Sequence, residues 1–319
     1  MDGTEEQRSR ELTTEQWLDI GRQAVDAGMV YLLITGGEPF LRPDFLQIYT
    51  DIAQRGVKIS INTNGACVTP EIVETFKRFP PEQVNVTLYG ASAQTYQKLC
   101  GMASGYEAAI KGIRMLKEAG ICVNLNTTFT AVNVQDLEAL MTFAKEEHLP
   151  IRSAAYVFPK VRNEGGPQSE ALSPEEHGAL SAKFDALIMS EEQMARRKEV
   201  VERCIAAEEP KSDEASSKAS SCMAGRGAFW ITWDGQMYPC GMMPNATDAI
   251  GQSLSDAWSE CCSKMERVFL PAECTVCPYR VLCPVCAALC GSLGSSTTEV
   301  PRQMCAYIRA YCDAIRDHQ

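Results

Sequence analysis

Two hydrophobic rhythms alternate through the first half of the chain. Short apolar runs rich in β-branched residues occur at Met29-Val-Tyr-Leu-Leu-Ile-Thr35, Val57-Lys-Ile-Ser-Ile-Asn62, Val84-Asn-Val-Thr-Leu88, 122–129 and 151–156, the pattern of strands buried in a sheet. Between and after them the apolar spacing turns helical. One helix is predicted from a Thr13/Gln16 capping box to about Gly28. Others are predicted over 43–55, from Pro70 onward, over 106–119 with Gly120 closing it, and over 134–147 with Asn133 as N-cap. Repeated βα units of this length predict an α/β fold with parallel strands, a sheet or barrel.

The rhythm breaks at residue 157. Asn163-Glu-Gly-Gly-Pro167 reads as a loop. Ser173 and Pro174 fit the N-cap and first position of a helix, and helical character continues toward Ala207. The polar, low-complexity run 210–221 is predicted to be a mobile linker. Beyond it, Phe229-Trp-Ile-Thr-Trp233 and Gln236-Met-Tyr238 are joined by Asp234-Gly235, a β-hairpin signal with Asp234 as a turn residue. Cys222 and Cys240 flank that hairpin.

Composition narrows the class. With 45% apolar and 22% charged residues, the chain is an ordinary globular sequence, long enough at 319 residues for two domains. A net charge of −11 argues against nonspecific binding to nucleic acid or anionic membrane. No apolar run approaches the roughly 18 residues of a membrane span, and the charged N-terminus lacks a signal peptide's apolar stretch, so a cytoplasmic location is expected. The three histidines, His148, His177 and His318, lie in polar contexts and are expected at the surface.

The fifteen cysteines change the picture most. The run Cys274-x2-Cys277-x5-Cys283-x2-Cys286-x3-Cys290 is too dense for a disulfide framework, and disulfides are rare in intracellular proteins. Such spacing fits an iron–sulfur or zinc site. Cys67, Cys100, Cys122 and Cys312 fall outside it and are expected to be packing residues. One of Cys261 and Cys262 is a possible extra ligand.

Two segments carry a resemblance. Thr35-Gly-Gly-Glu-Pro-Phe-Leu-Arg-Pro-Asp-Phe45, following the first visible strand, resembles the glycine-rich motif of the radical S-adenosylmethionine (radical SAM) superfamily. The resemblance continues in order through Asn62-Thr-Asn-Gly65, Val86-Thr-Leu88 and Asn126. It implies that Gly36, Gly37, Glu38, Pro39, Asn62, Thr63, Asn64, Thr87 and Asn126 contact S-adenosylmethionine. Independently, Cys222-x12-Gly235-x4-Cys240, Cys274-x2-Cys277-x5-Cys283 and Cys305 resemble the SPASM extension of peptide- and protein-modifying members, which usually holds two auxiliary [4Fe–4S] clusters. By that resemblance Cys274, Cys277, Cys283 and Cys305 would hold an outer cluster. Cys222, Cys240 and either Cys286 or Cys290 would hold an inner one, with an open iron or with Cys204 completing it. The family pattern has a further cysteine at position 287, where this chain has Ala287.

The implied architecture is a partial (β/α)6 TIM-like barrel lacking its first strand over 1–156, a helical and mobile linker over 157–221, and a SPASM domain with a hairpin over 222–319. The implied activity is generation of a 5′-deoxyadenosyl radical to modify a peptide or protein side chain, with a reducing donor such as flavodoxin or ferredoxin. The Cys-x3-Cys-x2-Cys trio that holds the SAM-cleaving cluster is nowhere in these 319 residues. Two expectations follow: a chain that starts at an internal Met of a longer gene, which is favoured, or a pseudoenzyme that binds metal or peptide without catalysis.

Overall fold

The computed structural model describes residues 9–153, 171–207, 222–243, 247–248, 251, 253–266, 268–293, 296 and 298–318. Five strands form an all-parallel sheet in sequence order: β1 Tyr31–Ile34, β2 Lys58–Thr63, β3 Gln83–Thr87, β4 Val123–Thr127 and β5 Ile151–Ser153. Residues 154–156 of the predicted fifth strand lie outside the described residues. Helices connect the strands: α1 Thr14–Asp26 before β1, then α2 Phe45–Ala53, α3 Pro70–Arg78, α4 Ala93–Cys100, α5 Gly105–Glu118 and α6 Leu137–Glu146.

Local chemistry accounts for these boundaries. Thr13 and Gln16 close both hydrogen bonds of the expected capping box. Thr69 caps α3 through Ile72 N–H with Pro70 at the first helical position. Gly120, at φ +77°, ends the turn after α5. The short helix α4 escapes the sequence reading because its eight residues show little periodicity; Ser92 caps it. Asn133 holds the N-cap position of the short turn Val134–Asp136, but its side chain does not cap it. It is buried with its Nδ2 donating to the carbonyls of Tyr89 and Thr128, so tertiary bonding outcompetes the capping role there.

The two faces of the sheet differ in chemistry. Ile59, Ile61, Val84, Val86, Val123, Leu125 and Ile151 are buried with the core residues of the helices, including Phe45, Tyr49, Phe76, Ile113 and Leu140. Each fully buried aliphatic or aromatic side chain there contributes about 1.5–3 kcal/mol. The alternate positions are mostly polar: Ser60, Asn62, Gln83, Asn85, Thr87, Asn124, Asn126 and Arg152. β1 is an edge strand, with Tyr31 and Leu33 exposed.

The remaining elements form a second unit around cysteine-rich packing. Helices α7 Pro174–Ile188 and α8 Glu191–Ala206 start at the capping boxes Ser173/Glu176 and Ser190/Gln193. Both pack on the last helix, α12 Arg302–Asp317. His177 is buried (2% exposed) with its ring edge-on to Tyr307, contrary to the expected surface position. The Glu-Glu-His-Gly sequence around it looks polar, but Gly178 lets α7 approach α12 so closely that an added Cβ would lie 2.2 Å from the Tyr307 carbonyl. The expected hairpin is present, β6 Trp230–Ile231 and β7 Gln236–Tyr238, and a third strand, β8 Thr247–Asp248, pairs with β7. Helices α9 Leu254–Met265, α10 Ala272–Val276 and α11 Ala287–Leu293 complete the unit. Asp234 sits in the turn as expected and also pairs with Arg10 at 2.6 Å.

Candidate functional site

The first site lies where the strands end. The loop after β1 carries Gly36 and Gly37, both exposed, and Glu38 and Pro39, half-buried. The Glu38 carboxylate accepts from Thr63 Oγ1 (2.8 and 2.9 Å), the Asn64 backbone N–H (2.7 Å) and the Phe40 N–H (3.1 Å). One side chain therefore staples the β1 loop to the end of β2. Thr63 points to the helix side of the sheet and is 4% exposed, so its hydroxyl serves this staple. Gly65 follows at φ +75°, where a Cβ would meet Val86 at 2.7 Å. Asn64 Oδ1 accepts from the Ala66 N–H, which tightens the same turn.

A second staple joins the next two strand ends. Asp136 accepts from the Ala91 N–H (2.9 Å) and Thr95 Oγ1 (2.7 Å), while Asn133 bonds the carbonyls on both sides. The four loops at this end of the sheet are thereby held in pairs by buried or half-buried polar side chains.

Between them lies the polar face. Register places Asn62, Asn85 and Asn124 on one rung and Thr87, Asn126 and Arg152 on a rung nearer the strand ends. The structure thus brings the predicted Asn62, Thr87 and Asn126 onto a single surface, beside Gly36 and Gly37. Asn85, Asn124 and Arg152 share that surface and were not singled out from sequence. Their signal was there, in polar residues alternating within otherwise apolar strands (Gln83-x-Asn85-x-Thr87 and Asn124-x-Asn126). Cys67 lies close enough to feel Glu38: burial, and then that carboxylate, push its thiol above the usual range.

The second site is in the C-terminal unit. Cys274, Cys277, Cys283 and Cys305 line one cavity of about 50 Å³ together with Tyr279, Arg280, Val285, Met304 and Arg309. Burial, then neighbouring cysteines, push Cys274 to about 11. Burial is also the main cause for Cys283, at about 11, although the Val285 N–H partly offsets it. Cys305 is raised mainly by burial, with Arg302 and Arg309 opposing.

The other predicted ligands lie beside this cavity. Cys240, Cys283 and Cys286 pack on the apolar cluster that contains Cys274 and Cys290. Cys240 is raised by burial and, less strongly, by Cys286 and Cys222, so these three thiols are neighbours. Cys290 is fully buried, and after burial its thiol is raised to about 12 by Cys274, Cys286 and Cys283. Backbone N–H groups approach three of the sulfurs: Ala224 to Cys222 (3.5 Å), Met242 to Cys240 (3.4 Å) and Leu289 to Cys286 (3.4 Å). Such bonds favour the thiolate, the form that binds metal. Cys204 and Cys312 are buried on α8 and α12. Cys261 is buried on α9 and feels both Cys262 and Cys240. Among the described residues no three His, Cys, Asp or Glu side chains converge as a single metal ion requires; the four cysteines instead surround a space.

The fold defines an α/β domain with a polar face at the strand ends, joined to a cysteine-lined module. Residues 2–144 match the model of the Radical SAM superfamily. The chain is 27% identical over 298 residues to an AdoMet-dependent heme synthase of Methanosarcina barkeri, covering 87% of this chain and 83% of that one. It is 22% identical over 263 residues to a PqqA peptide cyclase of Granulibacter bethesdensis, covering 78% and 66%. In fold it matches native anSMEcpe with bound AdoMet at a TM-score of 0.69, with 13% identity over 95% of this chain and 87% of the other. Streptococcus suis SuiB bound to its precursor peptide SuiA matches at 0.65, with 18% identity over 91% and 68%. Among the described residues no helix is long and apolar enough to cross a membrane.

Proposed function

We propose that this chain binds S-adenosylmethionine on the polar face at its strand ends and carries two auxiliary [4Fe–4S] clusters in its C-terminal module, serving radical chemistry on a peptide or protein side chain. The observation that carries the reading is the cavity lined by Cys274, Cys277, Cys283 and Cys305, four thiols gathered from a 32-residue span around one space. A single zinc ion would draw four sulfurs to about 2.3 Å from one point; a cubane needs the wider ring of thiols that a cavity supplies. Cys222, Cys240 and Cys286, neighbours with N–H···S support, are the proposed inner ligands, with Cys290 buried beside them. Gly36, Gly37, Asn62, Asn64, Thr87 and Asn126 would bind and orient the cofactor, whereas Glu38 and Thr63 would position the loops. The proposed frame is a partial (β/α)6 barrel with β1 at its edge. S-adenosylmethionine supplies a 5′-deoxyadenosyl radical when a reduced cluster cleaves it, and flavodoxin or ferredoxin would supply the electron. With no Cys-x3-Cys-x2-Cys trio in the sequence, the cleaving cluster is assigned to none of these cysteines.

A peptide substrate is supported by the relatives named for peptide cyclisation and by structural neighbours that hold peptides. The heme synthase relative, similar over more of the chain, favours a second reading in which the substrate is a porphyrin. Anaerobic purification with iron and sulfide analysis tests the common part. About eight iron and eight sulfide per chain are expected, with the broad brown absorbance of iron–sulfur clusters. Colourless protein holding zinc and no sulfide would overturn the cluster reading. Titrating the reconstituted protein with a porphyrin, followed by its visible absorption band, separates the two substrates.

A further inference from the structure

One rung below the cofactor-facing positions Thr87 and Asn126, three carboxamides are bonded in series. Asn124 Nδ2 donates to Asn85 Oδ1 (3.3 Å) and to Gln83 Oε1 (2.9 Å), and Asn85 Nδ2 donates to Asn62 Oδ1 (2.9 Å). Asn85 and Asn124 are buried, at 9% and 5% exposure, while Asn62 is half-buried. Three asparagines on one rung of a parallel sheet are costly unless their amides pair, because an unpaired buried amide loses about 1–3 kcal/mol. Here they pair in one direction. Each carboxamide has one oxygen and one NH2, so donation running from Asn124 through Asn85 fixes which end of Asn62 is used. The Asn62 oxygen is turned inward, and its NH2 is left for whatever occupies the site.

We propose that Asn85 and Asn124 are positioning residues that set the orientation of Asn62, so that this part of the site selects a ligand offering a hydrogen-bond acceptor, such as a hydroxyl oxygen or ring nitrogen of a nucleoside. The inference rests on the S-adenosylmethionine reading only for the identity of that ligand. The direction of the relay is a property of the free protein.

Aspartate substitutions read the direction. Asn85→Asp and Asn124→Asp each replace a donor by an acceptor, which reverses the chain by local flips and leaves Asn62 presenting oxygen. In this arrangement both residues act through Asn62. Equilibrium dialysis with labelled S-adenosylmethionine should show both variants binding roughly three- to tenfold more weakly, the value of one hydrogen bond, and Asn62→Asp should match them. All three should keep the far-ultraviolet circular dichroism of the parent. The Asn62 side-chain amide resonance, identified by its disappearance in Asn62→Asp, should shift in Asn85→Asp without any ligand. Parent-like affinity in both relay variants while Asn62→Asp binds poorly would overturn the positioning role and leave the cofactor reading intact. A parent protein that does not bind S-adenosylmethionine, but whose Asn62 resonance moves as expected, would overturn the ligand and keep the relay. An unmoved resonance overturns the relay itself.

Discussion

Glu38 shows how much one side chain decides at the strand ends of the sheet. Its carboxylate takes bonds from Thr63, Asn64 and Phe40, which belong to two different loops. Removing it leaves a buried hydroxyl and two backbone N–H groups without their acceptor, and bonds to a charged acceptor are worth about 1.5–3 kcal/mol each at most. Glu38→Ala should lower stability by about 2–3 kcal/mol, read as a lower urea midpoint at unchanged slope, and it should weaken S-adenosylmethionine binding by misplacing Gly36 and Gly37. Glu38→Gln keeps one acceptor oxygen and should fall between. A Glu38→Ala protein as stable as the parent would show that the staple carries no load. The motif around Glu38 was legible in the sequence, but its role was not. The residues it joins are 25 and 26 positions away, and nothing local marks Thr63 as its partner.

Among the elements, α5 and the β2 loop meet backbone to backbone. A Cβ on Gly112 would lie 2.0 Å from the Gly65 carbonyl oxygen, an atom with no room to give. Gly112→Ala should therefore destabilise the domain by about 1–3 kcal/mol despite the better helix propensity of alanine. A thermal melt with a raised midpoint would contradict the close approach. Strand and helix periodicity made most of the sheet unit readable, since apolar positions facing the helices repeat every second residue and a capping box announces α1; in the second unit, Ser173 and Pro174 announce α7. Helix α4, the burial of His177 and the tertiary bonds of Asn133 were not readable. Each depends on a neighbour distant in sequence, and short or polar segments carry no period that reveals it. The gathering of cysteines in the C-terminal unit was legible from spacing alone. Spacing did not add Cys305, which reaches the cavity from α12, 22 residues beyond Cys283; that grouping came from the resemblance to the SPASM extension.

For the whole molecule, the C-terminal unit is fastened to the sheet unit as well as following it in sequence. The Leu12 N–H donates to the Trp233 carbonyl, Arg10 pairs with Asp234, and the Leu254 N–H donates to Gln23. Ala24 of α1 shares an apolar cluster with Met237, Leu254, Ala257 and Cys261. Buried thiols make this assembly sensitive to alkali. Burial is the main cause that raises Cys261 to about 11 and Cys312 to about 12, from an ordinary 9.0. The folded protein holds these protons more tightly than the unfolded chain. Their contribution is therefore complete below about pH 9 and drains away as pH rises toward 12. Metal-free protein should show a falling melting temperature across pH 9–11, and Cys312→Ala should flatten that fall; a pH-independent midpoint would exclude the effect. The opposed chemistry of the sheet's two faces carries one more consequence. Successive side chains alternate sides, so a slip of one residue in any strand would drive asparagines and threonines into the apolar helix layer and turn isoleucines and valines onto the polar face. The oily side of the sheet thus acts as a proofreader for the polar side. Ile59, Val84 and Leu125 lie on the opposite, helix-packed side, yet they make every misaligned version of the polar face too costly to persist.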